Sequence, residues 1–150
     1  MKPLARRNLS RHHVDMVISS APDIARVVLA GPAPLTAASL LREAGCQVLS
    51  AASPATLLRL AADAPQPHLI LLGETVGDQP GLGLLTRLQD DAATRSIPVL
   101  YVAQESDEEL ALALGAADCL TWPLRPLVLL ARVQAQLRLA SLQGLSGVLP

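Results

Sequence analysis

The sequence predicts an α/β fold, a parallel sheet lying between two layers of helices. Three observations carry this. Five short apolar runs, at residues 24–30, 46–50, 68–73, 97–103 and 117–121, alternate with segments of helical spacing. Glycine and proline punctuate the joints between them. Parallel strands joined through helices close only by right-handed crossovers, which places helices on both faces of the sheet.

Each element has a local signature. Ile24 to Ala30 is a short β-branched run that reads as a buried strand. Leu35 to Ala44 has helical spacing and stops at Gly45, a natural residue past a helix end. Cys46 to Ser50 is the second strand, and Ser53-Pro54 caps and opens a helix running to about Asp63. His68 to Gly73 is the most apolar run and therefore the central strand. A Gly/Asp/Pro loop, Thr75 to Gly81, leads into a helix at Leu82 to Gln89. Ile97 to Ala103 is the fourth strand. Ser106-Asp107-Glu108-Glu109 has capping-box spacing and opens a helix that ends near Gly115. Ala117 to Thr121 is the fifth strand, followed by a long helix from Leu124 to about Leu142. The simplest solution is a flavodoxin-like (βα)5 three-layer α/β/α sandwich with sheet order 2-1-3-4-5. In such a sheet, chemistry sits at the carboxyl ends of strands 1 and 3.

Composition bounds the function classes. The 150 residues fit one domain with a real core; 51% are hydrophobic and 17% charged, which excludes disorder. A net charge of −1, with Tyr101 and Trp122 the only aromatics, argues against nucleic-acid binding. No apolar run approaches the roughly 18–20 residues of a membrane span, and the Arg-rich start lacks a secretory signal's hydrophobic stretch. Cys46 and Cys119 have no metal-ligand spacing and read as inert core thiols in a reducing cytoplasm. Residues 1–23, with Lys2, Arg6, Arg7 and Arg11, read as a basic arm or extra helix. Residues 24–142 form the domain, and 143–150 a tail or linker.

The chain resembles the receiver domains of response regulators across roughly residues 24–142. The segment PQPHLILLG is similar to the family's central strand, and Asp91-Ala-Ala-Thr-Arg-Ser-Ile-Pro-Val-Leu to the connection into its fourth. Leu114-Gly-Ala-Ala-Asp-Cys-Leu-Thr-Trp-Pro-Leu resembles the family's G-A-D-D-Y-L-T-K-P-F stretch, and Gly81 sits where the family keeps a glycine. The resemblance implies a phosphorelay domain whose own aspartate takes a phosphoryl group, with two acids for Mg²⁺, a hydroxyl and a lysine.

Those positions are empty of that chemistry. The nucleophile position is Gly73, the acidic pair falls on Gly31 and Pro32, the hydroxyl on Ala103 and the lysine on Trp122. The chain therefore reads as a degenerate pseudo-receiver: not an enzyme, with no catalytic residue, metal or cofactor. Glu74 and Asp78 are the substitutes through which residual phosphoryl acceptance would run. The family's switch aromatic is Cys119 here and the aromatic after its Lys-Pro is Leu124, so a domain locked in one state is expected. Trp122 is expected to fill the vacated pocket, and its peptide to Pro123 to be cis by resemblance. A small-ligand sensor using the pocket beside Gly31, Gly73 and Ala103 is the rival reading.

Other candidates are weak. The Gly31–Thr36 loop lacks the donors of a phosphate loop, because Pro32 and Pro34 remove two N–H groups. His12-His13 has no third ligand nearby, and His68 reads as a rim residue. The working surface is expected on the fourth helix, fifth strand and last helix. There the acids Glu105, Asp107, Glu108 and Glu109 face Arg125, Arg132 and Arg138, with Leu129 and Leu139 as apolar contacts. Leu130, Val133, Leu137 and Ala140 make a heptad-like stripe on the last helix, extended one turn by Leu127; Leu130 and Val133 are read as facing inward, and some of the helix's remaining apolar residues as exposed or covered by a partner. Receivers often pair through this face, so a homodimer or protein partner is expected, with neither nucleic acid nor membrane. An output domain following the chain is a further expectation.

Overall fold

In the computed structural model the described residues are 24–148; the predicted basic arm, with His12 and His13, lies outside them. The strands are β1 (Arg26–Ala30), β2 (Gln47–Ala51), β3 (Leu69–Gly73), β4 (Thr75–Val76), β5 (Gln79–Pro80), β6 (Val99–Ala103) and β7 (Asp118–Thr121). The helices are α1 (Pro32–Leu35), α2 (Ala38–Glu43), α3 (Pro54–Ala62), α4 (Gly81–Asp90), α5 (Glu108–Ala113) and α6 (Pro126–Val148). Five strands form one parallel sheet in the order β2-β1-β3-β6-β7, the order the alternation predicts. Register runs Val28↔Ile70, Ile70↔Val99 and Tyr101↔Cys119 across it.

Alternation along the strands builds two cores. Val28, Ile70, Leu72, Val99 and Tyr101 pack on one face with Leu57, Leu84, Leu85 and Leu88 of α3 and α4. Val27, Leu29, Leu71, Leu100 and Val102 pack on the other with Leu41 of α2 and Leu129, Val133 and Leu137 of α6. Strands β3 and β6 are buried throughout, as continuous apolar runs in a covered parallel sheet should be.

The caps explain the boundaries. Ser53 accepts a hydrogen bond from the Thr56 amide at 3.2 Å, with Pro54 opening the helix. Past α2, Gly45 takes φ +97°, letting the Cys46 amide donate to the Leu41 carbonyl and closing the helix end.

Several expectations are corrected. The first helix is two, because the Pro32–Leu35 turn closes through Thr36, whose Oγ1 donates to the Ala33 carbonyl. The Thr75–Gly81 loop contains the small β4–β5 hairpin. The capping box does not form: a 3₁₀ turn at Glu105–Asp107 makes Asp107 the cap of α5, without a side-chain bond. Helix α6 continues to Val148, past the end near Leu142 that the spacing predicts. Its inward stripe is Leu129, Val133 and Leu137, while Leu127 points to solvent at 81% exposure.

Candidate functional site

The carboxyl ends of β1, β3, β6 and β7 bring Gly31, Gly73, Ala103 and Trp122 to one edge of the sheet. Gly31 has φ +99°, and a Cβ there would run into the Thr75 carbonyl oxygen. Pro32 is exposed and opens α1. Pro34, two residues on, is buried and leans toward β3: a Cβ on Gly73 would lie 2.8 Å from Pro34 Cδ and 3.3 Å from Cγ. Gly81 in turn packs on Gly73, where a Cβ would strike the Gly73 carbonyl oxygen, and the Gly81 amide donates to the Glu74 carbonyl at 2.7 Å. Ala103 is buried, and its carbonyl accepts from the Trp122 amide at 3.0 Å.

This geometry corrects the expectation for Trp122. The indole does not fill the space beside Gly73; it is 43% exposed and lines a surface groove of about 380 Å³. Pro34 occupies that space instead. Sequence reasoning missed Pro34, weighing it only as a lost N–H donor. The absent side chain at Gly73 signals that a neighbour must fill the room, but packing decides which one. The Trp122–Pro123 peptide is cis.

The residues do not fit a magnesium ion, which demands carboxylate or other oxygen ligands in octahedral array. Gly31, Pro32 and Gly73 carry no side-chain oxygen. Glu74 is half-buried and its Oε2 accepts from the Gln104 amide at 3.2 Å, while Asp78 is exposed in the β4–β5 turn. Among the described residues no three His, Cys, Asp or Glu side chains cluster as a metal site. Burial lifts the Cys46 thiol to about 11; burial, then Glu108, Asp118 and Asp107, lifts Cys119 to about 11. Neither is a ready nucleophile.

The proposed working face is distributed around β7. Asp107, the cap of α5, and Glu108 are half-buried and Glu109 is exposed, whereas Arg125, just before α6, and Arg138 within it are exposed; the Glu105 side chain lies outside the described set. Arg132 is committed within the chain, its Nη1 lying 2.6 Å from Asp118 Oδ2. Leu129 is corrected outright: at 1% exposure it belongs to the core under α6 and cannot meet a partner. Leu139 is half-exposed beside a hollow of about 240 Å³ shared with Gln89, Ile97, Gly115 and Gln136, near the start of β7. The Trp122 groove, lined also by Glu108, Leu124, Arg125 and Val128, lies at the strand's other end. Leu110 and Leu112 add exposed apolar surface on α5.

At the opposite end of the sheet, His68 Nδ1 accepts from the Arg26 amide at 2.9 Å. The Arg26 guanidinium is spent on the Gln66 carbonyl, so these residues fasten the strand starts. No helix of the described residues is long and apolar enough to cross a membrane.

No family model matches the chain. Among curated proteins it is 35% identical over 88 residues to the phosphate regulon transcriptional regulatory protein PhoB of Klebsiella pneumoniae, covering 57% of this chain. It is 36% identical over 76 residues to PhoB of Pseudomonas aeruginosa. The chain covers 38% of the first relative and 33% of the second, so it spans about a third of their lengths. Among solved structures, the receiver domain of NtrX from Brucella abortus superposes with TM-score 0.65 at 20% identity, covering 75% of this chain and 97% of that one. The signal receiver domain of a histidine kinase from Syntrophus aciditrophicus gives 0.66 at 24%, covering 75% and 89%. Sheet order, crossover helices and these neighbours agree: the chain has the flavodoxin-like α/β fold seen in response-regulator receiver domains.

Proposed function

We propose that the chain is a pseudo-receiver of two-component-type signalling, acting without aspartyl phosphorylation through protein–protein contact on the face formed by α5, β7 and α6. One observation carries this: the phospho-acceptor position is Gly73, and Pro34 Cδ stands 2.8 Å from where its Cβ would be. The position has neither a nucleophile nor room for one. A population shift needs a ligand that binds two states differently, and no such contact remains at Ala103 or Trp122. What is left to work is surface. The acids Glu108 and Glu109 of α5 are complementary across a two-fold axis to Arg125, just before α6, and Arg138 within it, and Leu110, Leu112, Trp122 and Leu139 supply apolar anchors. The partner is a second copy or another signalling protein in the cytoplasm, with an output domain following in the full protein.

Incubation with acetyl phosphate and Mg²⁺, followed by intact mass measurement, tests the phosphorylation half; no gain of a phosphoryl group is expected. A stable gain, mapped to Glu74 or Asp78, would refute it. Sedimentation of the wild type against Arg138→Glu and Leu139→Glu tests the contact half. Association weakened by both substitutions is expected, and a monomer in every case counts against this face.

A further inference from the structure

We propose that Pro34 is a built-in plug, its ring filling the space before Gly73 and closing the crevice between the ends of β1 and β3. The backbone at Gly73 is ordinary strand, in register with Val102 and outside the left-handed region, so nothing in its dihedral angles calls for glycine. Crowding alone does. Pro34 Cδ and Cγ would lie 2.8 and 3.3 Å from a Cβ at Gly73, and the Ala30 carbonyl oxygen 3.4 Å from it. A pyrrolidine ring has no side-chain rotamers through which to swing aside. The ring is itself held, since Pro34 is buried in α1 and its carbonyl accepts from the Ala37 amide at 3.0 Å.

A second contact closes the crevice from the hairpin side. The Thr75 carbonyl oxygen sits where a Cβ of Gly31 would be, and the positive φ at Gly31 admits this approach. Parallel sheets of this topology bind ligands in the crevice at these strand ends. Here the crevice is filled from within, by a ring on one side and a backbone carbonyl on the other. A metabolite has no entry beside Gly31 and Gly73, and an acid restored at position 73 finds no room. The plug requires only the fold. If the wild type took a phosphoryl group on Glu74 or Asp78, the function proposed above would fail and the plug would stand.

The test is thermal unfolding of the whole chain as wild type, Gly73→Ala, Pro34→Ala and the double variant. Gly73→Ala adds only the offending Cβ and is expected to lower Tm by roughly 5 °C or more, as overpacking does. In the Pro34→Ala background, which lacks Cγ and Cδ, the same substitution is expected to cost less than half as much. An equal cost in both backgrounds overturns the plug. If Gly73→Ala alone does not fold, recovery of a folded double variant supports it and failure of both overturns it. In a second arm, Gly73→Asp is treated with acetyl phosphate and Mg²⁺ and weighed. No added phosphoryl group is expected, and its appearance on Asp at position 73 overturns the plug whatever the wild type does.

Discussion

Arg132 Nη1 lies 2.6 Å from Asp118 Oδ2, clamping helix α6 to the edge strand β7 within one subunit. The other carboxylate oxygen, Oδ1, accepts from the Cys119 amide at 2.8 Å, so both oxygens of the aspartate are engaged. The hydrogen bond to Asp118 and its charge hold the guanidinium above its ordinary range. Of the two arginines on α6, Arg132 has its counter-charge on the neighbouring strand of its own chain.

Arg132→Ala should therefore cost folding and spare association. Arg132 is 47% exposed, so the pair is screened and its loss should lower stability by only about 0.5–1 kcal/mol, less at high salt. Urea unfolding at low and high salt reads that term. Sedimentation of Arg132→Ala should match the wild type, in contrast to Arg138→Glu. A loss of association equal to that of Arg138→Glu would put Arg132 back at the interface.

Leu129 and Leu127 separate core from surface on the same helix. Leu129 is 1% exposed against the β-sheet and Leu127 is 81% exposed. Leu129→Ala should cost about 2–4 kcal/mol through lost burial and the cavity it leaves, whereas Leu127→Ala should stay within about 0.5 kcal/mol. Chemical denaturation of the two variants decides which phase of the helix faces inward.

That phase is also where sequence reading failed, for a physical reason. Strands β1, β3 and β6 were legible because a buried parallel strand is apolar on both faces, and Gly45 and Ser53-Pro54 fixed neighbouring helix ends by backbone chemistry. Helix α6 has Leu at 127, 129, 130, 137 and 139, so apolar residues lie all round it and spacing alone cannot choose a face. The site divided in the same way. The missing groups at Gly31, Gly73 and Ala103 could be read from residue identity. The filling of the space by Pro34 rather than Trp122 could not, because it depends on how the Gly31–Pro34 turn folds back onto β3.

Thr94 gives a third prediction. It is the one buried polar side chain among the described residues, and its Oγ1 donates to the Leu88 carbonyl at 2.7 Å. Leu88 lies in the last turn of α4, whose carbonyls have no partner within the helix. Thr94→Val keeps the shape and removes the donor, so the carbonyl is left buried and unmet. The expected loss is about 1–2 kcal/mol of unfolding free energy, read by chemical denaturation, and Thr94→Ser should recover most of it. A neutral Thr94→Val would mean that water reaches the end of α4.

His68 makes the fold acid-sensitive before the carboxylates do. Its Nδ1 accepts from the Arg26 amide, a bond that only the neutral ring with its proton on Nε2 can make. Burial, then the charge of Arg26, lowers its pKa in the folded chain below the ordinary value of 6.5. The unfolded chain therefore binds the extra proton first, and by linkage stability rises with pH through this window. It is complete above about pH 7 and declines as pH falls below 6.5, levelling off only beneath the lowered folded pKa. His68 is the one histidine of the described residues, so His68→Gln should flatten the dependence of the urea midpoint between about pH 7.5 and 5.5. The wild-type midpoint should fall over the same range. If both proteins lose stability in parallel, the acid sensitivity resides in other groups and the Arg26–His68 bond survives protonation elsewhere in the chain.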